Sequence, residues 1–164
     1  WIGTSLVADH ADVLVDPIRR GAEQAGRSLD DIDLQVNTQL DVSDDVDSLI
    51  NRNRPAMAFT LGGMGSARTN FYNSAFSRAG FGDIAAEVQR LWVGGDKAAA
   101  VAAVPDEMVL AAYSIGTADM VTDRIRSLAA AGVNAVRLGP IGRTAAEQIA
   151  HLEMAVDLVR SATA

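Results

Sequence analysis

The fold class is indicated most clearly by residues 135–144, which read AVRLGPIGRT. A short apolar run ends here in Gly-Pro-x-Gly, and a capping box from Thr144 to Glu147 follows at once. The pattern predicts the carboxyl end of a parallel strand, a tight turn and the first turn of a helix. In barrels of alternating strands and helices this edge carries the chemistry, and the loops after the last strands often hold a phosphate.

A second strand is predicted at residues 33–42, DLQVNTQLDV, because its side chains alternate in character. One face is mostly apolar and the other carries amides: Leu34, Val36, Thr38 and Leu40 against Gln35, Asn37 and Gln39. A barrel strand turns its apolar face to the helices and its other face to the lumen. A row of uncharged amides in the lumen suits a ligand-facing surface.

The order of elements predicts an α/β fold. Residues 1–5, WIGTS, read as a strand end, and residues 67–115 read as a long, mostly helical insertion. Strands linked by helices imply parallel pairing through right-handed crossovers, so residues 34–42 and 133–138 should be adjacent. Three strands against the eight of a closed barrel predict a partial (β/α)8 TIM barrel, its C-terminal three strand–helix units, and a chain that is part of a larger enzyme.

Two helices flank the last predicted strand, and each shows an apolar stripe at helical spacing. The helix before the strand is expected to bury Val121, Ile125 and Leu128. The final helix is expected to face inward with Ile149, Leu152, Val156 and Val159.

The amino-acid composition excludes several classes of function for this chain. The chain has 164 residues, of which 49% are hydrophobic and 21% charged, so it can bury the core of one domain. Its net charge of −7 argues against binding to nucleic acid, and no apolar run is long enough to cross a membrane. The absence of cysteine excludes disulfides and thiolate metal sites and suits a cytoplasmic protein. The histidines, His10 and His151, are isolated, so no metal site is expected.

Two cations near the last strand are candidate ligand contacts, and each has an alternative interpretation. The turn at residues 139–142 can present backbone N–H groups to an anion, with Arg143 adding charge, or its glycines only form a sharp turn and Arg143 is solvated. Arg137 lies in a buried-looking strand, where it meets an acid, reaches solvent at the barrel mouth, or binds an anionic ligand. No general acid or base is evident, and the catalytic residues remain unknown.

A glycine-rich segment at residues 62–65, GGMG, is similar to a phosphate loop only superficially. It lacks the lysine and the spacing of a Walker motif, and it follows a predicted helix instead of a strand. A helix stop is therefore the better interpretation.

Several short segments together resemble one family. They are residues 1–5 (WIGTS), 54–59 (RPAMAF), 62–66 (GGMGS), 70–72 (NFY), 115–117 (IGT) and 136–140 (VRLGP). In their order and spacing they resemble the C-terminal half of luciferase-like monooxygenases. The branch they resemble most is the oxidoreductases that use the deazaflavin F420, many of them actinobacterial.

The resemblance implies a (β/α)8 barrel with an insertion after the seventh strand, so that the strands seen here are the sixth, seventh and eighth. It implies F420, or alternatively FMN, at the carboxyl edge of the barrel, and hydride transfer to a small organic substrate. Most of the cofactor pocket would then lie before Trp1. The resemblance implies that seven residues of this chain contact the cofactor or the substrate: Thr4, Ser5, Asn37, Gln39, Arg137, Gly139 and Arg143.

The expected partners are a small-molecule substrate and a second copy of the chain in a homodimer. The alternative function is a non-catalytic half-barrel that dimerises or binds a partner through its open sheet edges. An aldolase or isomerase with a phosphate site is disfavoured, because no Schiff-base lysine or metal cluster occurs at a predicted strand end.

Overall fold

The structure is a computed structural model that describes residues 1–4, 6–66 and 68–163. Its strands are β1 (Ile2–Thr4), β2 (Gln35–Asn37), β3 (Leu40–Val42), β4 (Ser114–Gly116) and β5 (Ala135–Arg137). Its helices are α1 (Asp12–Gln24), α2 (Val46–Gly62), α3 (Phe71–Phe76), α4 (Gly82–Val93), α5 (Lys97–Ala102), α6 (Asp106–Ala112), α7 (Ala118–Ala130) and α8 (Ala145–Thr163).

Strand β2 lies at the centre of a three-stranded parallel sheet, with β1 on one side and β5 on the other. Gln35 is opposite Ile2 in β1 and Ala135 in β5. The predicted adjacency of residues 34–42 and 133–138 is therefore confirmed for residues 35–37, which pair with 135–137, but not for residues 40–42. The partial barrel of parallel strands joined by helices is confirmed as well.

The predicted strand at residues 33–42 is two short strands in the structure. The N–H of Thr38 still donates to the carbonyl of Arg137 at 3.0 Å, but the carbonyl of Gln39 accepts the N–H of Ser114 at 2.9 Å. The chain thus changes partner between Thr38 and Gln39, and β3 continues as a parallel pair with β4. Strand β4 was not predicted.

The hydrophobic residues form two cores. One lies between the three-stranded sheet and helices α1, α7 and α8, and it includes the predicted stripe of Val121, Ile125 and Leu128. The other lies among helices α2 to α6, of which α3 to α6 occupy most of the predicted insertion. Ala67, at the start of that insertion, lies outside the described residues, and β4 begins just before its end. None of the helices described here is long and apolar enough to span a bilayer.

The glycine-rich segment ends α2, as the helix-stop interpretation predicts, and Gly63 is the C-cap residue. A Cβ atom at Gly62 would collide with the side chain of Trp92 on α4. Glycine at this position therefore lets helices α2 and α4 pack closely, which is a structural role.

The prediction for α8 was wrong at three positions. Ile149, Leu152 and Val156 are 56%, 36% and 45% exposed, although their spacing predicted an inward face. Ala155 is the fully buried residue of this helix. The apolar face of α8 instead borders a groove of about 580 Å³ beside β5, whose outer edge has no partner strand among the described residues.

Candidate functional site

A cleft of about 390 Å³ lies at the carboxyl ends of β2 and β5. Its lining consists of Asn37, Thr38, Gln39, Tyr113, Arg137, Leu138 and Gly139. Four of the residues that the sequence singled out are thus brought together: Asn37, Gln39, Arg137 and Gly139. Parallel-strand α/β folds commonly bind ligands at this edge of the sheet.

Three of the predicted positions form one row across the sheet. Thr4 in β1 is opposite Asn37 in β2, and Asn37 is opposite Arg137 in β5. Residues in register on parallel strands project from the same face, and their neighbours in sequence project from the other. Since Val36 is buried against the helices, the side chains of Asn37 and Arg137 occupy the face that carries the cleft. Ser5, the remaining residue of that strand end, lies outside the described residues.

The floor of the cleft is held by a buried pair of hydroxyl side chains. The Oγ1 of Thr38 lies 3.1 Å from the Oγ of Ser114 and also accepts the backbone N–H of Ser114 at 3.1 Å. Ser114 is completely buried, so these hydrogen bonds are protected from competition with water. They fix the start of β4 beside Gln39, and with it the preceding residue, Tyr113.

Tyr113 is a lining residue that the sequence reasoning missed. Burial raises the pKa of its phenol above the usual value, so the hydroxyl stays protonated at neutral pH and can donate a hydrogen bond. The residue lies at the end of α6, inside the predicted insertion. The sequence signal that could have found it is its position two residues before the segment at residues 115–117, which the family resemblance includes.

The charge of the cleft lining comes from one residue, Arg137, which is exposed at the cleft mouth. The lining contains no carboxylate, and Arg137 forms no ion pair with the described residues. Of the three situations considered for this side chain, the structure shows the exposed one, at the mouth of the partial barrel. The cleft therefore offers a cation, two amides and a phenol to a ligand.

The turn after β5 has its own acceptors for three backbone N–H groups. Arg143 and Thr144 both donate to Oε2 of Glu147, at 2.6 and 3.1 Å, and Ile141 donates to Nδ1 of His151 at 3.3 Å. The N–H of Glu147 in turn donates to Oγ1 of Thr144 at 3.3 Å, which completes the predicted capping box. The structure thus favours the interpretation of a sharp turn over an anion site, and it leaves Arg143 exposed outside the cleft lining.

Arg124 on α7 anchors the chain that leaves β1. Its Nη2 donates to the carbonyl of Leu6, and burial lowers the pKa of the guanidinium to about 10, with nearby Asp9 acting in the opposite direction. The side chain is therefore still charged at neutral pH. This hydrogen bond ties Leu6, just beyond β1, to helix α7.

No group of three or more metal-ligating side chains occurs in the described part of the chain. What the structure presents at the carboxyl edge is a set of neutral donors and acceptors with one cation. Such a set can orient a polar organic molecule, since ligand pockets typically combine apolar walls with a few placed polar groups.

Comparison with known proteins places these features in a family. The model for luciferase-like monooxygenases matches residues 1–135. The chain is 33% identical over 109 residues to a protein of Mycobacterium tuberculosis described as a coenzyme F420-dependent oxidoreductase, covering 66% of this chain and 31% of the relative. It is 35% identical over 133 residues to 5,10-methylenetetrahydromethanopterin reductase of Methanopyrus kandleri, covering 80% and 36%.

A solved structure shows the same likeness in three dimensions. The F420-dependent tetrahydromethanopterin reductase of Methanopyrus kandleri superimposes with a TM-score of 0.66 at 30% identity, over 90% of this chain and 41% of that one. The chain spans about a third of the length of the curated relatives it matches. The resemblance stated from the sequence is thus confirmed: this chain belongs to the luciferase-like monooxygenase family.

Proposed function

We propose that the whole protein is an F420-dependent oxidoreductase that transfers a hydride between reduced F420 and a small organic substrate. The observation that carries the proposal is the cleft at the carboxyl edge, which collects Asn37, Gln39, Arg137 and Gly139. The relative from Mycobacterium tuberculosis and the solved structure are F420-dependent by description, which favours F420 over the alternative cofactor, FMN.

The donor set of the cleft fits a polar heterocyclic ligand. The side-chain amides of Asn37 and Gln39 can each donate and accept, which suits the alternating carbonyl and N–H groups at the edge of a deazaflavin or of a polar substrate. When bound, F420 supplies the hydride chemistry. The residues of this wall then orient the ligands and exclude water from one side of them.

Tyr113 and Arg137 have distinct roles in this proposal. The protonated phenol of Tyr113 donates a hydrogen bond to an oxygen or nitrogen of the ligand, and Arg137 contacts a polar or anionic group at the cleft mouth. Neither carboxylate nor imidazole lines the cleft. We therefore assign ligand orientation to this wall and the acid–base residues to the part of the family's barrel that comes before it.

The second candidate function is a partner-binding half-barrel, and the exposed face of α8 favours it. Leu152 and Val156 lie beside the open edge of β5 and line the groove of about 580 Å³. Contiguous exposed apolar surface of this kind often marks an association site. The occupant proposed under this alternative is a second copy of the chain, giving a homodimer.

Loss of the cleft side chains should impair turnover without unfolding the protein. We expect Asn37→Ala and Arg137→Ala in the full-length protein to lower kcat/KM for oxidation of reduced F420 by small carbonyl and quinone acceptors by about tenfold or more. One charge-assisted hydrogen bond is worth about 1.5–3 kcal/mol, which accounts for that factor. The matched control is Arg143→Ala, an exposed arginine outside the cleft lining.

Melting temperatures measured on the same variants separate function from stability. Wild-type kinetics in the folded Arg137→Ala protein would remove this residue from the site. If the wild-type protein does not oxidise reduced F420 but does oxidise reduced FMN, then FMN takes the place of F420 as the cofactor in this proposal.

The raised pKa of Tyr113 predicts a difference in stability at alkaline pH. The folded protein holds the phenolic proton more tightly than the unfolded chain, in which tyrosine titrates near about 10. Raising the pH above about 10 should therefore destabilise the wild-type protein relative to Tyr113→Phe. Below about pH 10, the difference in unfolding free energy between the two proteins should stay constant. Urea unfolding at about pH 8 and about pH 10.5 measures this, and a difference that does not change with pH would contradict the burial of this phenol.

The homodimer alternative predicts association through α8. If it holds, light scattering should give twice the monomer mass for the 164-residue chain at micromolar concentration. Leu152→Glu combined with Val156→Glu should then restore the monomer, because burying carboxylates in an apolar interface is costly. Val93→Glu, which changes an exposed valine on α4, is the control. A monomeric wild-type chain would reject this alternative.

A further inference from the structure

His151 on α8 joins two chain segments that each contribute residues to the cleft lining. Its Nε2 lies 2.9 Å from the carbonyl oxygen of Leu40, and its Nδ1 accepts the N–H of Ile141 at 3.3 Å. The ring is half-buried. One side chain therefore connects the final helix to β3 and to the turn after β5.

Both contacts lie next to residues of the cleft lining. Leu40 directly follows Gln39, and Ile141 comes two residues after Gly139. Because the imidazole is rigid, the two segments are held at a spacing that the ring dimensions set.

The two partners also determine the tautomer of His151. The N–H of Ile141 is a donor, so Nδ1 must present a lone pair to it. The carbonyl of Leu40 is an acceptor, so Nε2 must carry the hydrogen. Both hydrogen bonds form together only in the neutral Nε2–H imidazole.

We propose that His151 is a positioning residue of the ligand cleft, which holds Gln39 and Gly139 at the spacing that ligand binding requires. The inference rests on the proposed function, since it takes the cleft as the wall that contacts the substrate. His151 does not line the cleft itself and acts through the backbone of β3 and of the turn. Misplacing a wall by a fraction of an ångström weakens contacts that the bound substrate makes throughout the reaction, which raises KM more than it lowers kcat.

Three substitutions separate the two hydrogen bonds. His151→Leu removes both of them. His151→Gln keeps a polar group near the position of Nε2, within reach of Leu40, and His151→Asn keeps one near the position of Nδ1, within reach of Ile141. Leu158→Ala is the matched control, because Leu158 packs into the same core from α8 and contacts neither segment through a hydrogen bond.

The kinetic arm uses the full-length protein, reduced F420 and menadione as the acceptor probe. We expect His151→Leu to raise the KM for menadione by about fivefold or more with kcat within about twofold. His151→Gln and His151→Asn should each recover part of that loss. Leu158→Ala should lower the melting temperature and leave KM unchanged. Equal KM values in His151→Leu and Leu158→Ala would overturn the proposal.

Hydrogen exchange of the backbone amide of Ile141 provides an arm that does not depend on activity. Exchange should be about tenfold or more faster in His151→Leu and His151→Gln than in wild-type or His151→Asn protein, because only the first two lose its acceptor. Equal exchange in all four proteins would overturn the tie between His151 and the turn. If wild-type protein shows no turnover of reduced F420 but this exchange pattern appears, the proposed function fails and the positioning of the turn by His151 stands.

Discussion

The architecture of the site depends on one change of hydrogen-bond partner. At Thr38 the backbone N–H still pairs with Arg137 of β5, and one residue later the carbonyl of Gln39 pairs with Ser114 of β4. Three segments that are far apart in the chain thereby meet at the carboxyl edge of the sheet. The buried hydroxyl pair of Thr38 and Ser114 holds this junction, so the side chains that line the cleft extend from a fixed point.

The chemical character of the cleft follows from that junction. The alternation of β2 sends Asn37 to the open face while Val36 packs on the helices, and β5 adds Arg137 in the same row. Tyr113, directly before β4, adds a phenol whose pKa burial raises above its usual value. A wall of neutral hydrogen-bonding groups and one exposed cation can orient a polar ligand without itself supplying an acid–base group.

The sequence predicted the parts of this arrangement that repeat along the chain, and it missed those that depend on distant partners. Alternation at residues 34–40 correctly predicted the two faces of the strand, and the capping box correctly predicted the start of α8. Strand β4 has three residues, too few for a period, and its partner is more than 70 residues away. The contact of His151 with Leu40 joins residues 111 positions apart, so no local sequence pattern could predict it. The spacing of Ile149, Leu152 and Val156 placed them on one side of α8, but spacing alone does not say whether another element covers that side.

The central proposal is that the cleft at the carboxyl ends of β2 and β5 contacts the ligands of the whole protein. A crystal structure of the full-length protein with F420 and a substrate analogue bound tests it most directly. We predict that polar atoms of a ligand lie within about 3.2 Å of at least two of the side chains of Asn37, Gln39, Tyr113 and Arg137. Ligands bound with none of these side chains in contact would contradict the account.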